Sequence, residues 1–217
     1  MSSSILFISA GMLKNKKKIQ IDSLYLNYGF LGLASLVNQK LKKVNFFQAN
    51  LFSPEDFFNK LEEKSLIKNT KYPIFISIPS FFAITWTQKF IIILKNKFPN
   101  KKIIIGGRWV LDSDIWVKEK FPLVDAIVKG QAENIIEKLV TCNFEGQIVI
   151  NEDAGINIDI PKLNYNILDN FIEYSPSIEL SRGCGKGCSF CADKDVKLSS
   201  IKPADKVISE ILDLIKL

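Results

Sequence analysis

Cys184-Gly-Lys-Gly-Cys188-Ser-Phe-Cys191 places three of the chain's four cysteines within eight residues. Thiolates three and four positions apart on a loop can converge on one point. Gly183, Gly185 and Gly187 let the backbone wrap tightly enough for that. Structural zinc usually takes four ligands. Here three are local, histidine is absent, and the fourth cysteine, Cys142, lies far upstream. A four-iron four-sulfur cluster held by three cysteines fits better, with one iron left for a small molecule. Two other readings stay open on spacing alone. One is a zinc loop completed by Cys142 or by a carboxylate such as Asp193; the other is a set of free thiols.

The rest of the composition narrows the chemistry. The lack of histidine excludes a Ser-His-Asp triad, a Cys-His nucleophile pair and any imidazole metal ligand. Acidic pairs such as Glu62-Glu63 and Asp193 with Asp195 read as surface charges. Lys plus Arg number 29 against 23 Asp plus Glu, a formal net charge of +6. Only Arg108 and Arg182 are arginines, and the lysines are spread along the chain. That is the pattern of a solvated surface, so nucleic acid is not the expected partner. Apolar residues at 47% and charged residues at 24% describe an ordinary globular protein with a full core.

Crowded cysteines without a secretion signal point to a reducing compartment. Lys14 and Lys16 to Lys18 follow the apolar start instead of preceding it, the wrong order for a signal peptide. The uncharged run 72–88 is interrupted by Pro73 and Pro79 and reads as a buried strand followed by a helix, not a membrane span. The expectation is a soluble cytoplasmic protein with no membrane partner.

The elements that must position the cysteines follow from hydrophobic periodicity. Short apolar runs at 5–9, 44–49, 74–78, 102–105 and 126–128 read as strands buried on both faces. Between and after them, 29–42, 53–64, 85–97, 112–121 and 132–140 carry helical spacing. Ser53-Pro-Glu-Asp is a helix start, with a capping serine, proline at the first helical position and acids in the first turn. Strand and helix alternate five times, which predicts a flavodoxin-like doubly wound α/β domain over 1–141 with a parallel five-stranded sheet. An Asn- and Asp-rich stretch, 142–175, reads as a linker lying against that domain. Then 177–180 is expected as a strand, 182–200 as a long loop and 202–217 as an amphipathic helix, so that 176–217 forms one strand-helix unit.

The cysteine loop, with Phe190 just before its third cysteine and Ser181-Arg182-Gly183 ahead of it, resembles the cluster motif of radical S-adenosylmethionine enzymes. The resemblance implies that Cys184, Cys188 and Cys191 bind a 4Fe-4S cluster. It further implies that S-adenosylmethionine chelates the open iron and that Phe190 lies beside its adenine. A reductant such as flavodoxin or ferredoxin becomes an expected partner. Many such enzymes carry an amino-terminal cobalamin-binding domain of flavodoxin-like fold. Gly32-Leu-Ala-Ser-Leu36, Ser77 to Ser80, Ile103 to Gly107, Asp125 to Gly130 followed by Gln131-Ala-Glu133, and Pro161 to Tyr165 look like that domain.

In open parallel sheets, ligands sit beyond the carboxyl ends of the strands. Ser77, Ser80, Gly106, Gly107, Gly130 and Gln131 fall at such ends and are the expected cobalamin contacts. Gly106-Gly107 reads equally as a tight exit from a buried strand. Phe81, Phe82 and Trp109 are candidates to pack on a corrin face, with the core as the alternative place for them. Without histidine, cobalt would lack an imidazole ligand, and Gln131-Ala-Glu133 stands where Glu-Gly-Glu is more typical.

A closed eight-unit strand-helix barrel takes about 250 residues, whereas 176–217 suffices for one unit. The resemblance therefore implies the amino-terminal part of a cobalamin-dependent radical enzyme acting on C–H bonds, such as a methyltransferase. Alone it is expected to be inactive, and a second chain is a candidate to complete the barrel. The alternatives are a non-catalytic cobalamin- or nucleotide-binding module and a zinc-stabilised α/β interaction protein. The substrate is not legible in these residues.

Overall fold

The computed structural model of the chain describes residues 3–12, 26–107, 114–144, 146–150, 160–184, 186–190, 198 and 200–216. Strands β1 (Ile5–Ser9), β2 (Val44–Gln48), β3 (Ile74–Ser77), β4 (Ile103–Gly106), β5 (Ala126–Lys129) and β6 (Ile148–Ile150) form one sheet in the order β2-β1-β3-β4-β5-β6. Every pairing is parallel, with Ile5 opposite Val44, Leu6 opposite Ile74, Ile74 opposite Ile103 and Ile127 opposite Ile148. This is the doubly wound order, with its reversal between β1 and β3. The sheet exceeds the expected five strands by one. The sixth, β6, lies inside the stretch read as a linker, where three apolar residues among polar ones gave too short a run to stand out.

Alternation along the strands feeds two cores. Leu6 and Ile8 point to one face, where α2 (Pro54–Glu63), α3 (Leu66–Asn69), α4 (Ile84–Lys97) and α5 (Asp114–Lys120) cover them. Ile5 and Phe7 point to the other, covered by α1 (Tyr28–Lys40), α6 (Ile136–Val140) and the segment carrying Leu163, Tyr165, Leu168 and Tyr174. The first core centres on Trp86, fully buried and stacked on Phe90 at 5.1 Å, with Phe57 at 5.7 Å. Its indole nitrogen donates to the Phe52 carbonyl at 2.9 Å, so the ring enters the core without an orphaned donor.

The local signals act as read. Ser53 Oγ accepts from the Asp56 amide at 3.1 Å and Pro54 opens α2, with Glu55 and Asp56 in its first turn. The run 72–88 divides into β3, a 3-10 turn over Phe81–Ala83 and the start of α4. No helix among the described residues is long and apolar enough to cross a membrane.

Residues 160–174 pack on the α1 face. The Asp169 amide donates to the Phe46 carbonyl at 2.9 Å, and the Asn164 amide to Ser35 Oγ at 2.8 Å. A Cβ on Gly32 would stand 3.2 Å from the Pro161 ring, so this glycine admits the segment against α1.

Beyond it, 177–180 is irregular where a strand was expected. The Ser177 amide and carbonyl are both taken by the Tyr165 hydroxyl, at 2.6 and 3.0 Å, which removes them from any ladder. The strand comes later, as β7 (Ser181–Arg182), antiparallel to β8 (Ser200–Ile201). The final helix, α7 (Ala204–Leu214), follows Pro203.

Candidate metal centre

The cysteine loop leaves β7 through Gly183, whose φ is +77°, and turns again at Gly187, whose φ is +64°. Both angles lie in the left-handed region that glycine adopts without strain. At Gly187 nothing stands within 4 Å of where a Cβ would be, so the demand there is conformational and not steric. Cys184 and Cys188 are free and exposed, and Phe190 is 91% exposed at the end of the loop. Cys191 and Asp193 lie outside the described residues. Among the described residues no three Cys, Asp or Glu side chains converge as a metal site. Two accessible thiols on a glycine-turned loop are the donor chemistry an iron-sulfur cluster takes, so the residues present fit such a group.

Two buried ion pairs hold the ends of this loop. Arg182 Nη1 meets Glu133 Oε1 at 2.5 Å, with side chains 8% and 9% exposed. Its Nε and Nη2 reach the two oxygens of Glu179 at 2.9 and 3.1 Å, a two-pronged contact only arginine can make. Burial alone would lower the Arg182 guanidinium, but hydrogen bonding and charge from Glu179 and Glu133 hold it above its ordinary value. On the returning side Lys202 Nζ lies 2.8 and 2.9 Å from the Glu210 oxygens, and its amide donates to the Leu180 carbonyl at 2.8 Å. Both charges are buried, with paired hydrogen bonds offsetting the desolvation.

Glu133 sits just past β5, on the carboxyl edge of the sheet, and the expected cofactor contacts share that edge. Ser77 Oγ accepts from Asn27 Nδ2 at 2.9 Å, and the same amide lies 3.4 Å from Ser9 Oγ. Asn27 Oδ1 also accepts from the Phe30 amide at 3.3 Å, so one side chain caps α1 and bridges β1 to β3 at the switch point. Sequence reasoning missed Asn27, although an asparagine directly ahead of a helical run is a recognised cap signal.

Ser80 Oγ donates to Met12 Sδ at 3.2 Å. Gly106 pairs with Ser77 in the ladder, and Gly107 has φ +108°. A Cβ on Gly107 would stand 2.7 Å from the Ile78 carbonyl oxygen, so close strand packing already explains this glycine. Gly130, φ +86°, turns the chain out of β5 toward Gln131. Phe81 and Phe82 are 60% and 64% exposed, outside the core that the sequence offered as their alternative place. Trp109 and Arg108 lie outside the described residues. The exposed phenylalanines suit a flat apolar ligand, whereas Ser77 and Gly107 are engaged within the fold.

A cavity of about 460 Å³ opens elsewhere, between α1, the 162–166 segment and α7, and holds none of the sequence-predicted site residues. Cys142 lies apart from the loop, beside the amino ends of β3 and β4, where burial pushes its thiol up and Lys102 partly opposes that.

No family model matches the chain. It is similar to two curated proteins, both named tRNA-2-methylthio-N(6)-dimethylallyladenosine synthase. The one from Buchnera aphidicola subsp. Schizaphis graminum is 27% identical over 122 residues, covering 54% of this chain and 27% of that protein. The one from Mannheimia succiniciproducens is 26% identical over 125 residues, covering 56% and 25%. The matches thus span about a quarter of these relatives' length. This weak homology fits the coarse radical S-adenosylmethionine reading of the cysteine loop.

Proposed function

We propose that the chain is the amino-terminal portion of a radical S-adenosylmethionine enzyme. Cys184, Cys188 and Cys191 would hold a 4Fe-4S cluster, and Phe190 would lie beside the nucleoside of S-adenosylmethionine. When bound and reduced, that cluster supplies the electron that cleaves the sulfonium and starts radical chemistry on a C–H bond. The chain's own part is to turn the loop at Gly183 and Gly187, present the thiolates together and anchor the loop to the sheet. The observation that carries the reading is the pair of exposed thiols, Cys184 and Cys188, on a loop turned by left-handed glycines.

Iron and labile sulfide after anaerobic reconstitution test it. Wild type should retain both, and Cys188→Ala should lose most of them. Equal iron in the two proteins rejects the cluster, and one zinc without sulfide supports the interaction-protein alternative.

Ile208, Ile211, Leu212 and Ile215 are exposed on and just after α7. That unpartnered apolar surface favours further barrel units, from more chain or from a second polypeptide, and a flavodoxin or ferredoxin would deliver the electron. The substrate admits two readings. Exposed Phe81 and Phe82 favour a corrinoid over the carboxyl edge, near Ser80, Gly106, Gly130 and Gln131, and hence methyl transfer. Spectral titration with cobalamin tests this, since binding that is absent, or indifferent to Phe81→Ala with Phe82→Ala, removes it. The relatives' names favour instead a tRNA base as the group that is modified.

A further inference from the structure

The geometry points to Glu133 as a positioning residue for the cysteine loop: from the carboxyl edge of the sheet it holds Arg182, and so fixes the backbone from which Cys184 departs two residues later. For what the loop holds we rely on the cluster reading above; whether the loop is held is a separate matter, decided without a cluster.

Backbone pairing alone is too small to fix this loop. β7 and β8 are two residues each, and Gly183 follows at once in the left-handed region, which ends the ladder. Apolar burial contributes little, because Leu180, Ile201 and Phe190 are all exposed. Glu179 sits three residues before Arg182 on the same segment, so its contact is local and places nothing. Glu133 is 49 residues away in sequence, in the turn that follows β5 at the carboxyl edge of the sheet. Its 2.5 Å contact, with both side chains nearly excluded from water, ties the two regions together. Removing one member of a buried pair leaves the other charged and unpartnered, which is costly. Glu133 also contributes a negative charge beside the loop. A nearby negative charge lowers the reduction potential of a cluster.

Glu133→Gln keeps the shape and removes the charge. In the metal-free protein, the amides of 179–182 and 200–202 should exchange with solvent about tenfold faster or more. Amides of α1 and α4 should be unchanged. After anaerobic reconstitution the midpoint potential of the cluster should rise relative to wild type. Glu133→Asp keeps the charge but shortens the reach to Arg182, and should accelerate the same amides to a lesser degree, which keeps the test alive if the glutamine variant does not fold. Unchanged exchange in both variants overturns the inference. Faster exchange with an unmoved potential supports Glu133 as the residue that holds the loop and overturns only its effect on the cluster's charge. A wild type that takes up no iron rejects the cluster reading, and the exchange ratio alone then decides whether Glu133 holds the loop.

Discussion

β1 and β3 bury every side chain they carry, whereas α7 buries one, and that one is Glu210. The sheet is held by apolar area removed from water, roughly 25 cal/mol per Å², spread over two cores that no single contact dominates. The carboxyl-terminal segment is held by a few polar contacts: Ser177 with the Tyr165 hydroxyl, Arg182 with Glu133, Lys202 with Glu210, and the exposed pair Lys162 with Asp213. The two regions should therefore fail separately, the first all at once and the second contact by contact.

The sharpest way to break the contrast is to damage each region in turn. Trp86→Ala removes the centre of one core and should cost about 3–5 kcal/mol, read as a lower urea midpoint with unchanged slope. A smaller loss than that would mean the sheet does not depend on its aromatic centre. Glu210→Ala strands the buried Lys202 ammonium and should cost about 3 kcal/mol locally. Amides of α7 should then exchange about a hundredfold faster while the urea midpoint of the sheet stays put. If the midpoint falls with them, the two regions form one cooperative unit and the contrast is void.

The smallest effect sharpens the comparison from inside the sheet, where one charged cluster does exist. Asp125 accepts from Lys95 at 3.1 Å, Lys102 at 2.8 Å and the Ile103 amide at 2.8 Å. Burial would raise its carboxyl, but these donors hold it below its ordinary value. A depressed carboxyl contributes stability that is fully present above the unfolded-state pKa of about 3.9. That stability is lost as pH falls through the lower folded-state value. Asp125→Asn should cost about 1–2 kcal/mol at neutral pH, the low end for bonds to a charged group because solvent still reaches it. As pH falls below about 4 the difference from wild type should shrink, and it should close once pH is under the folded-state value. A gap that persists there would assign the loss to shape and not to charge.

The contrast also divides what the sequence disclosed. The buried strands were legible because a β-branched or apolar run bounded by glycine or proline has few other uses, and Ser53-Pro54 announced its helix outright. β6 escaped because Ile148-Val149-Ile150 is shorter than the polar stretch around it. The strand expected at 177–180 failed for a different reason, since the Tyr165 hydroxyl claims Ser177 and no local pattern encodes that. The cysteine loop was legible as donor spacing. Its anchor was not, because Glu133 and Arg182 meet only once the sheet has brought the end of β5 beside β7. Asn27 fell between these cases, readable as a helix cap but not as the bridge between Ser9 and Ser77.

Trp86, on α4, is fully buried in the core against the sheet, and Trp116 packs against the same core. The ultraviolet emission of these two rings is accordingly a gauge of the sheet and the helices packed on it. It should shift red when that region melts and stay silent while the helix bearing Glu210 frays. A fluorescence curve and a far-ultraviolet dichroism curve taken on one sample would separate the two events without any label.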